Sequence, residues 1–199
     1  MYKPDPDSSR RARGQSLLEF ALALPVLLIL FLGLIEVALA MRAQLVLTNA
    51  NREAARFASY GAFTDEQVVE RTLIAFSDQL PVELNGPDAN TGIIITRFHI
   101  PSGGGQPEYE EPYITGTLTY TNDAGEVFDT PSQIDPESYA QQLKEQNKDF
   151  FTANDVVLVE TYYHHRQVLH APLVEWFIPE PIVLYRRTAM RISRPSLQE

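Results

Sequence analysis

The sequence predicts an α+β protein in which a long N-terminal transmembrane helix continues into an outer domain with an antiparallel sheet packed on helices. Three observations predict this fold. An apolar run of 25 residues, Leu17–Met41, is interrupted only by Glu19 and Glu36. A helical pattern with one apolar face follows the run, and strand-like segments occupy much of the second half of the chain.

The apolar run is long enough to cross a membrane. A helix of its length extends about 37 Å, and the hydrocarbon core of a bilayer is about 30 Å thick. The segment between Glu19 and Glu36 extends only about 24 Å, so one of these acids should lie near an interface. A buried core helix is the alternative, but such helices rarely run this long without a polar stripe. For Glu36 we expect solvation at the interface rather than pairing with Arg42 or a partner helix.

The flanks of the apolar run predict its orientation. Arg10, Arg11 and Arg13 precede the run closely, whereas only Arg42 follows it closely. Positive residues favour the cytoplasmic side, so the N-terminus should be cytoplasmic and the remainder extracytoplasmic. We therefore divide the chain into a basic leader (1–14), a transmembrane helix (15–41) and an extracytoplasmic α+β domain (42–199).

Charge and composition exclude several classes of protein. The net charge is -10, and all of it comes from residues after position 40. An acidic chain lacks the basic footprint of a nucleic-acid-binding protein. The chain has no cysteine, which excludes a disulfide framework, a thiolate metal site and a cysteine nucleophile.

A distinctive motif joins the leader to the apolar run. A glycine ends the leader, and a glutamate and an aromatic residue follow it in the order Arg13, Gly14, Gln15, Ser16, Leu17, Leu18, Glu19, Phe20. This motif resembles the processing site of type IV pilins. Residues 13–25 and 47–58 resemble the TadE-like family of tight-adherence (Flp, type IVc) pilus systems, and the resemblance weakens after about residue 60 until the closing strand.

The resemblance implies a role and several partners. A prepilin peptidase would cut between Gly14 and Gln15 on the cytoplasmic side. Glu19, fifth in the mature chain, and Phe20 would then take part in assembly with other pilin-like subunits. The chain would be a single-pass minor pilin or pseudopilin of the cytoplasmic (inner) membrane, with a pilin-like fold, working with the bilayer and the pilus assembly platform. It would be no enzyme and would need no cofactor or metal.

A physical argument supports the role of Glu19. A carboxylate at the edge of hydrocarbon is costly, so it usually marks a functional partner. Cleavage would expose an ammonium group at Gln15, and the ammonium of a neighbouring subunit can pair with Glu19. The alternative is that Glu19 only reaches the headgroups or is protonated.

A different cleavage site leads to a second hypothesis. Residues 38–40 offer the small-x-small pattern of signal peptidase, and a cut after Ala40 would release a secreted α+β binding domain. The apolar stretch before this site is longer than the usual 7–15 residues and contains Glu36.

The chain beyond the run should form helices and strands. Small and apolar residues share one helical face at Leu47, Ala50, Ala54 and Phe57, so the first helix should run from Ser16 to about Ala58. A capping box at Thr64–Gln67 begins a second helix that Pro81 ends, and a third should span Pro136–Phe150. The expected strands are Gly92–Ile100, Tyr113–Thr121, Val156–Tyr163 and Ile182–Ile192, and loops are expected at 102–107 and 122–125.

Other candidate sites are weaker. Glu160, His164, His165 and His170 suggest a metal-dependent enzyme. However, adjacent strand residues face opposite sides, and Glu160 and His164 would lie about 13 Å apart. The acidic residues at 122–126 suggest a hairpin turn rather than a calcium site, and the sequence contains none of the common catalytic motifs. The apolar segment Leu173–Ile178 is either a loop folded on the core or a patch that meets a partner or the bilayer.

Overall fold

The computed structural model describes residues 6–77, 79–86, 88–101, 105–121, 127–129, 132–146, 154–168 and 181–193. The elements in chain order are α1 (Pro6–Ala58), α2 (Asp65–Ser77), β1 (Thr91–Ile100), β2 (Glu108–Tyr109), β3 (Tyr113–Gly116), β4 (Thr119–Thr121), β5 (Val127–Asp129), α3 (Pro136–Gln146), β6 (Asn154–His165) and β7 (Ile182–Arg191). The combination of a long N-terminal apolar helix with an antiparallel sheet and helices confirms the predicted α+β class.

Helix α1 is one uninterrupted helix of 53 residues, although Pro25 lies inside it. It begins at Pro6, ten residues before the predicted Ser16, so it includes most of the predicted leader. It ends at Ala58, as predicted. The N–H of Gly61 bonds the carbonyl of Ala58, and the positive φ of 70° at Gly61 turns the chain away from the helix.

The two halves of α1 have different surroundings. From Leu17 to Ile35, every side chain is exposed or only partly buried. Glu36 is the first buried side chain among those that the structure describes in α1, and a buried face of small and apolar residues follows: Ala43, Val46, Leu47, Ala50, Ala54, Ala55 and Ala58. The first half (the bare half, Leu17–Ile35) therefore contacts little of the rest of the chain, and the second half packs on the α+β domain.

The main sheet is antiparallel throughout. β6 pairs with β1 from Thr91↔Tyr163 to Ile100↔Asn154, and with β7 from Val156↔Arg191 to His165↔Ile182. The other edge of β1 pairs with β2 and β3. β4 and β5 form a separate two-stranded sheet.

The predicted strand Tyr113–Thr121 is wrong in one respect, because it is two strands in different sheets. Gly116 ends β3 with a positive φ of 80°, and a Cβ there would lie 2.2 Å from the carbonyl oxygen of Thr91. Only glycine fits this close approach of two backbones. The chain therefore leaves the main sheet after Gly116 and pairs again from Thr119.

Helices cover both faces of the main sheet. On one face, α1 and α2 pack on β1 and β6 through a core that includes Ala54, Ala55, Val68, Val69, Ile93, Ile95, Val157 and Val159. On the other face, α3 and the chain before it cover Phe98, Ile100, Val156 and Leu158. This three-layer arrangement explains why β6 is buried on both sides.

The ends of the two shorter helices follow local signals. The capping box is present: the Thr64 N–H donates to Gln67 Oε1 at 3.0 Å, and the Gln67 N–H donates to Thr64 Oγ1 at 3.4 Å. α3 begins at Pro136, as predicted, with Asp135 accepting the Ser138 N–H at 3.0 Å. Several predicted features lie outside the described residues. They are part of the loop at 102–107, the loop at 122–125, the predicted end of α3 at 147–150, His170 and the segment Leu173–Ile178.

Candidate functional site

The predicted processing and assembly residues lie in and beside one exposed turn of α1, Gln15–Glu19. Gln15, Glu19 and Phe20 are exposed, and Gly14 directly precedes them in the helix. Gln15 Nε2 donates to Glu19 Oε1 at 3.2 Å, so these side chains share one face of the helix. The turn is 17 residues before Glu36, which places it about 26 Å from the start of the packed half. The predicted roles of these residues need a peptidase or a second subunit, so they remain proposals.

The bare half of α1 has the dimensions of a membrane span. The 19 residues from Leu17 to Ile35 extend about 28 Å, close to the thickness of a hydrocarbon core. Of the most apolar window of 18 residues, 6% is buried, whereas the core helix of a soluble protein would be mostly buried. By length and composition α1 is thus suited to a single crossing, and the structure describes one helix of this kind.

Glu36 is buried against the α+β domain, and the expectation of interfacial solvation is wrong. Its exposed fraction is 0%. Its Oε1 accepts the backbone N–H of Val168 at 2.8 Å, and His165 Nε2 lies 3.9 Å from the same oxygen. A buried carboxylate needs such donors to offset lost hydration. The donor comes from the chain that follows β6, which lies far away in sequence.

His165 stands beside Glu36 as a neutral group. Burial of the imidazole lowers the pKa of His165, and this effect exceeds the opposing influence of the Glu36 carboxylate. His165 thus places a polar but uncharged imidazole beside Glu36. It faces α1, and strand alternation places His164 on the opposite face of β6, as the sequence predicts.

Asn51 joins α1 to the sheet, and the sequence analysis missed it. Its side chain is fully buried, and Nδ2 donates to Thr161 Oγ1 at 2.7 Å and to the carbonyl of Val159 at 3.1 Å. A signal was present, since Asn51 is four residues after Leu47 and so shares its apolar face. A polar residue inside an apolar stripe indicates a specific partner in the core.

A second buried acid lies on the far face of β6. Glu160 accepts hydrogen bonds from Tyr185 Oη at 2.8 Å and from Ser132 Oγ at 2.8 Å. Burial raises the pKa of Glu160, although both hydroxyls oppose this shift. Burial is also the main cause that raises the pKa of the neighbouring Tyr162 to about 12. Glu160 is thus held by hydroxyl groups in an apolar environment.

The metal-site hypothesis gains nothing from this geometry. Glu160 contacts Ser132 and Tyr185, whereas His165 lies beside Glu36 on the other face of the sheet. Within the described ranges, no three or more His, Asp or Glu residues are grouped so that they could hold a metal ion. The structure does not describe His170.

The fold and the site together define a class of protein. A bare apolar helix of membrane-spanning length continues, without a break, into the core of an antiparallel α+β domain. Within this class the chain matches one family: residues 14–56 fit the model of TadE-like proteins, which confirms the resemblance seen in the sequence. The matched segment contains the exposed turn at Gln15–Glu19, the buried Glu36 and Asn51. No curated protein and no solved structure matches the chain.

Proposed function

We propose that this chain is a minor pilin or pseudopilin that takes part in assembling a Flp-type (tight-adherence) pilus. The observation that carries the proposal is the match of residues 14–56 to TadE-like proteins, a family of the tight-adherence pilus context. The match covers the whole bare half of α1 and most of its packed half. The function would be association with membrane lipid and with other subunits, and the chain would perform no chemistry.

The exposed turn of α1 supports a role in assembly. Glu19 is exposed near the start of the bare half, and its neighbour Gln15 offers it only a neutral amide. A prepilin peptidase that cuts after Gly14 would turn Gln15 into a residue with a free ammonium. The ammonium of an adjoining subunit would bind Glu19 more strongly than an amide does, since charge-assisted hydrogen bonds are about twice as strong.

The charge distribution supports the proposed orientation. The arginines of the leader precede the bare half, and the acidic domain follows it. In this orientation the cut between Gly14 and Gln15 lies on the cytoplasmic side of the inner membrane, and the domain lies outside.

The contact of Glu36 argues against release of the domain. A cut after Ala40 would remove Glu36 and leave the Val168 N–H without the carboxylate that it binds. It would also divide α1 within its unbroken helix. Retention of the entire helix agrees better with a membrane-held subunit than with a secreted binding domain.

N-terminal sequencing of the full chain, co-expressed with a prepilin peptidase and extracted from membranes, tests the cut. We expect Gln15 as the first residue, and Gly14→Ala should leave the chain uncleaved. Gly33→Ala is the matched control, because a Cβ at Gly33 would contact nothing within 4 Å, and it should be cleaved normally. A mature chain that begins at Met41 would instead support the signal-peptidase hypothesis and refute ours.

Co-purification of other pilin-like subunits tests the assembly role. Glu19→Ala should insert into the membrane normally but should recover far fewer partner subunits. Glu70→Ala removes an exposed acid from α2 and should leave recovery unchanged. Equal recovery by the two variants would contradict the pairing of Glu19.

A further inference from the structure

A cleft opens beside the point where the bare half of α1 ends. Its volume is about 300 Å³, and it lies between α1, the connection that follows α2, and the end of β6. Leu39 and Arg42 line it from α1, Pro81 from the connection, and Arg166 and Val168 from the chain around the end of β6. It is a shallow site with both apolar and cationic side chains.

The contact of Glu36 with Val168 indicates the level at which this cleft would lie in a membrane. If the bare residues span the hydrocarbon core, Glu36 lies at the boundary of that core, and the Val168 N–H lies there with it. Arg42 is six residues further, or about 9 Å along the helix. The headgroup region extends about 5–8 Å beyond the hydrocarbon on each side. The cleft therefore begins at the level of the lipid headgroups, with the backbone of Arg42 about 1–4 Å beyond their outer edge and its long side chain able to extend back toward them.

The charges of the cleft suit an anionic group. Arg42 and Arg166 are exposed, and a guanidinium group forms bidentate hydrogen bonds with phosphate. Asp88 lies 3.5 Å from Arg166, but both side chains are exposed, and an exposed ion pair contributes little. Glu36 is not among the residues that line the cleft, and its Oε1 is directed to the Val168 N–H.

The apolar side chains of the cleft suit the acyl chain of a lipid. Val168 is 61% exposed although it lies at the boundary of the hydrocarbon, and Leu39 is only partly buried on the same side of α1. An acyl chain can cover both residues while a phosphate remains near the arginines. A soluble anion would leave this apolar surface uncovered.

We propose that this cleft binds an anionic phospholipid, with the headgroup phosphate between Arg42 and Arg166 and an acyl chain against Leu39 and Val168. The proposal depends on α1 spanning a membrane and not on pilus assembly. A failure of the lipid test would therefore leave the assembly test unaffected, and the reverse also holds.

Native mass spectrometry of the full chain, released from nanodiscs of phosphatidylglycerol or phosphatidylcholine, tests the proposal. We expect retention of phosphatidylglycerol in preference to phosphatidylcholine. Each arginine near a membrane surface contributes about fivefold in binding, so Arg42→Gln with Arg166→Gln should lower retention about 25-fold. Arg52→Gln with Arg56→Gln removes the same charge from the exposed face of α1 beyond the cleft, and it should change retention little.

Two results would overturn the proposal. One is equal retention of phosphatidylglycerol by the double variant of the cleft and by its control. The other is displacement of the lipid by millimolar inorganic phosphate, which would indicate a site for a free anion. Circular dichroism of both double variants checks that the fold is intact. Replacement of both cleft arginines by lysine keeps the charge but not the bidentate geometry, so it should restore only part of the retention.

Discussion

The Glu36 carboxylate and the Val168 backbone N–H form a hydrogen bond of 2.8 Å between residues that are 132 positions apart. Glu36 is the first buried side chain along the described part of α1, so this bond lies where the helix first meets the α+β domain. The bond connects the end of the bare half of α1 to the chain that follows β6. It thereby helps to hold the chain after β6 against α1 at the end of the bare half.

Replacement of Glu36 should destabilise the domain in a graded way. Glu36→Ala leaves the Val168 N–H without its acceptor, which costs about 1–3 kcal/mol in the free energy of unfolding. Glu36→Gln retains an acceptor oxygen and should cost less. Urea unfolding of the full chain in detergent, followed by near-ultraviolet circular dichroism, measures both. Equal losses for the two variants would show that the bond to Val168 contributes nothing.

Asn51 should contribute more to the stability of the domain than its neighbour Asn49. Asn51→Ala removes two buried hydrogen bonds, to Thr161 and Val159, each of which contributes about 0.5–1.5 kcal/mol to the free energy of unfolding. Asn49→Ala is the matched control, because Asn49 is exposed on the same helix. Thermal unfolding of the full chain should separate the two variants by several degrees. Similar midpoints would refute the role assigned to Asn51.

The cap of α2 provides a local test. Thr64→Ala removes the acceptor of the Gln67 N–H and should cost about 0.5–2 kcal/mol. Thr64→Ser keeps a hydroxyl group in the same position and should be nearly neutral. Urea unfolding midpoints of the two variants check this, and a loss in the serine variant as large as in the alanine variant would contradict the capping interaction.

Glu160 should make the domain less stable as the pH rises. Because burial raises its pKa in the folded state, the native protein holds this proton more tightly than the unfolded chain does. The resulting contribution to stability is complete below the unfolded pKa and is lost as the pH rises through the folded pKa. Glu160→Gln should therefore gain stability relative to the unsubstituted chain between pH 4.5 and pH 8. Parallel stability curves for the two proteins over that range would refute this.

His164 should make the domain less stable as the pH falls. Burial lowers its pKa, so the native state favours the neutral imidazole. Its contribution is present above the unfolded pKa of about 6.5 and is lost as the pH falls through that value toward the folded pKa. His164→Gln should flatten this acid-side loss, which unfolding at pH 5 and pH 7.5 would reveal. An unchanged difference between those two pH values would show that His164 does not contribute.

Local patterns explain what the sequence predicted well. The apolar run, the helical stripe that follows it and the capping box at Thr64 all depend on neighbours within a few residues, and the structure contains each of them. β1, β6 and β7 also appear within two residues of their predicted limits, because their apolar runs are clear. α1 begins earlier than predicted because no helix-stop signal separates the leader from the apolar run, so the helix continues back to Pro6.

The errors involve partners that are distant in the sequence. The buried state of Glu36 depends on Val168, and the division of the strand at Gly116 depends on the carbonyl of Thr91. Neither partner can be identified from local periodicity. Asn51 is intermediate, because its position in an apolar stripe was visible although Thr161 as its partner was not. The proposed roles of Gly14, Gln15, Glu19 and Phe20 need a second molecule and stay predictions.

The unbroken course of α1 has a mechanical consequence. No loop interrupts α1 between its bare half and the half that packs on the sheet, so continuous helical backbone connects the two halves. A push that lifts the helix by one turn raises the domain by the same distance, about 5.4 Å. A rotation of the helix about its axis likewise turns the domain with it, so a force applied at the N-terminal end of α1 reaches the domain through the helix backbone.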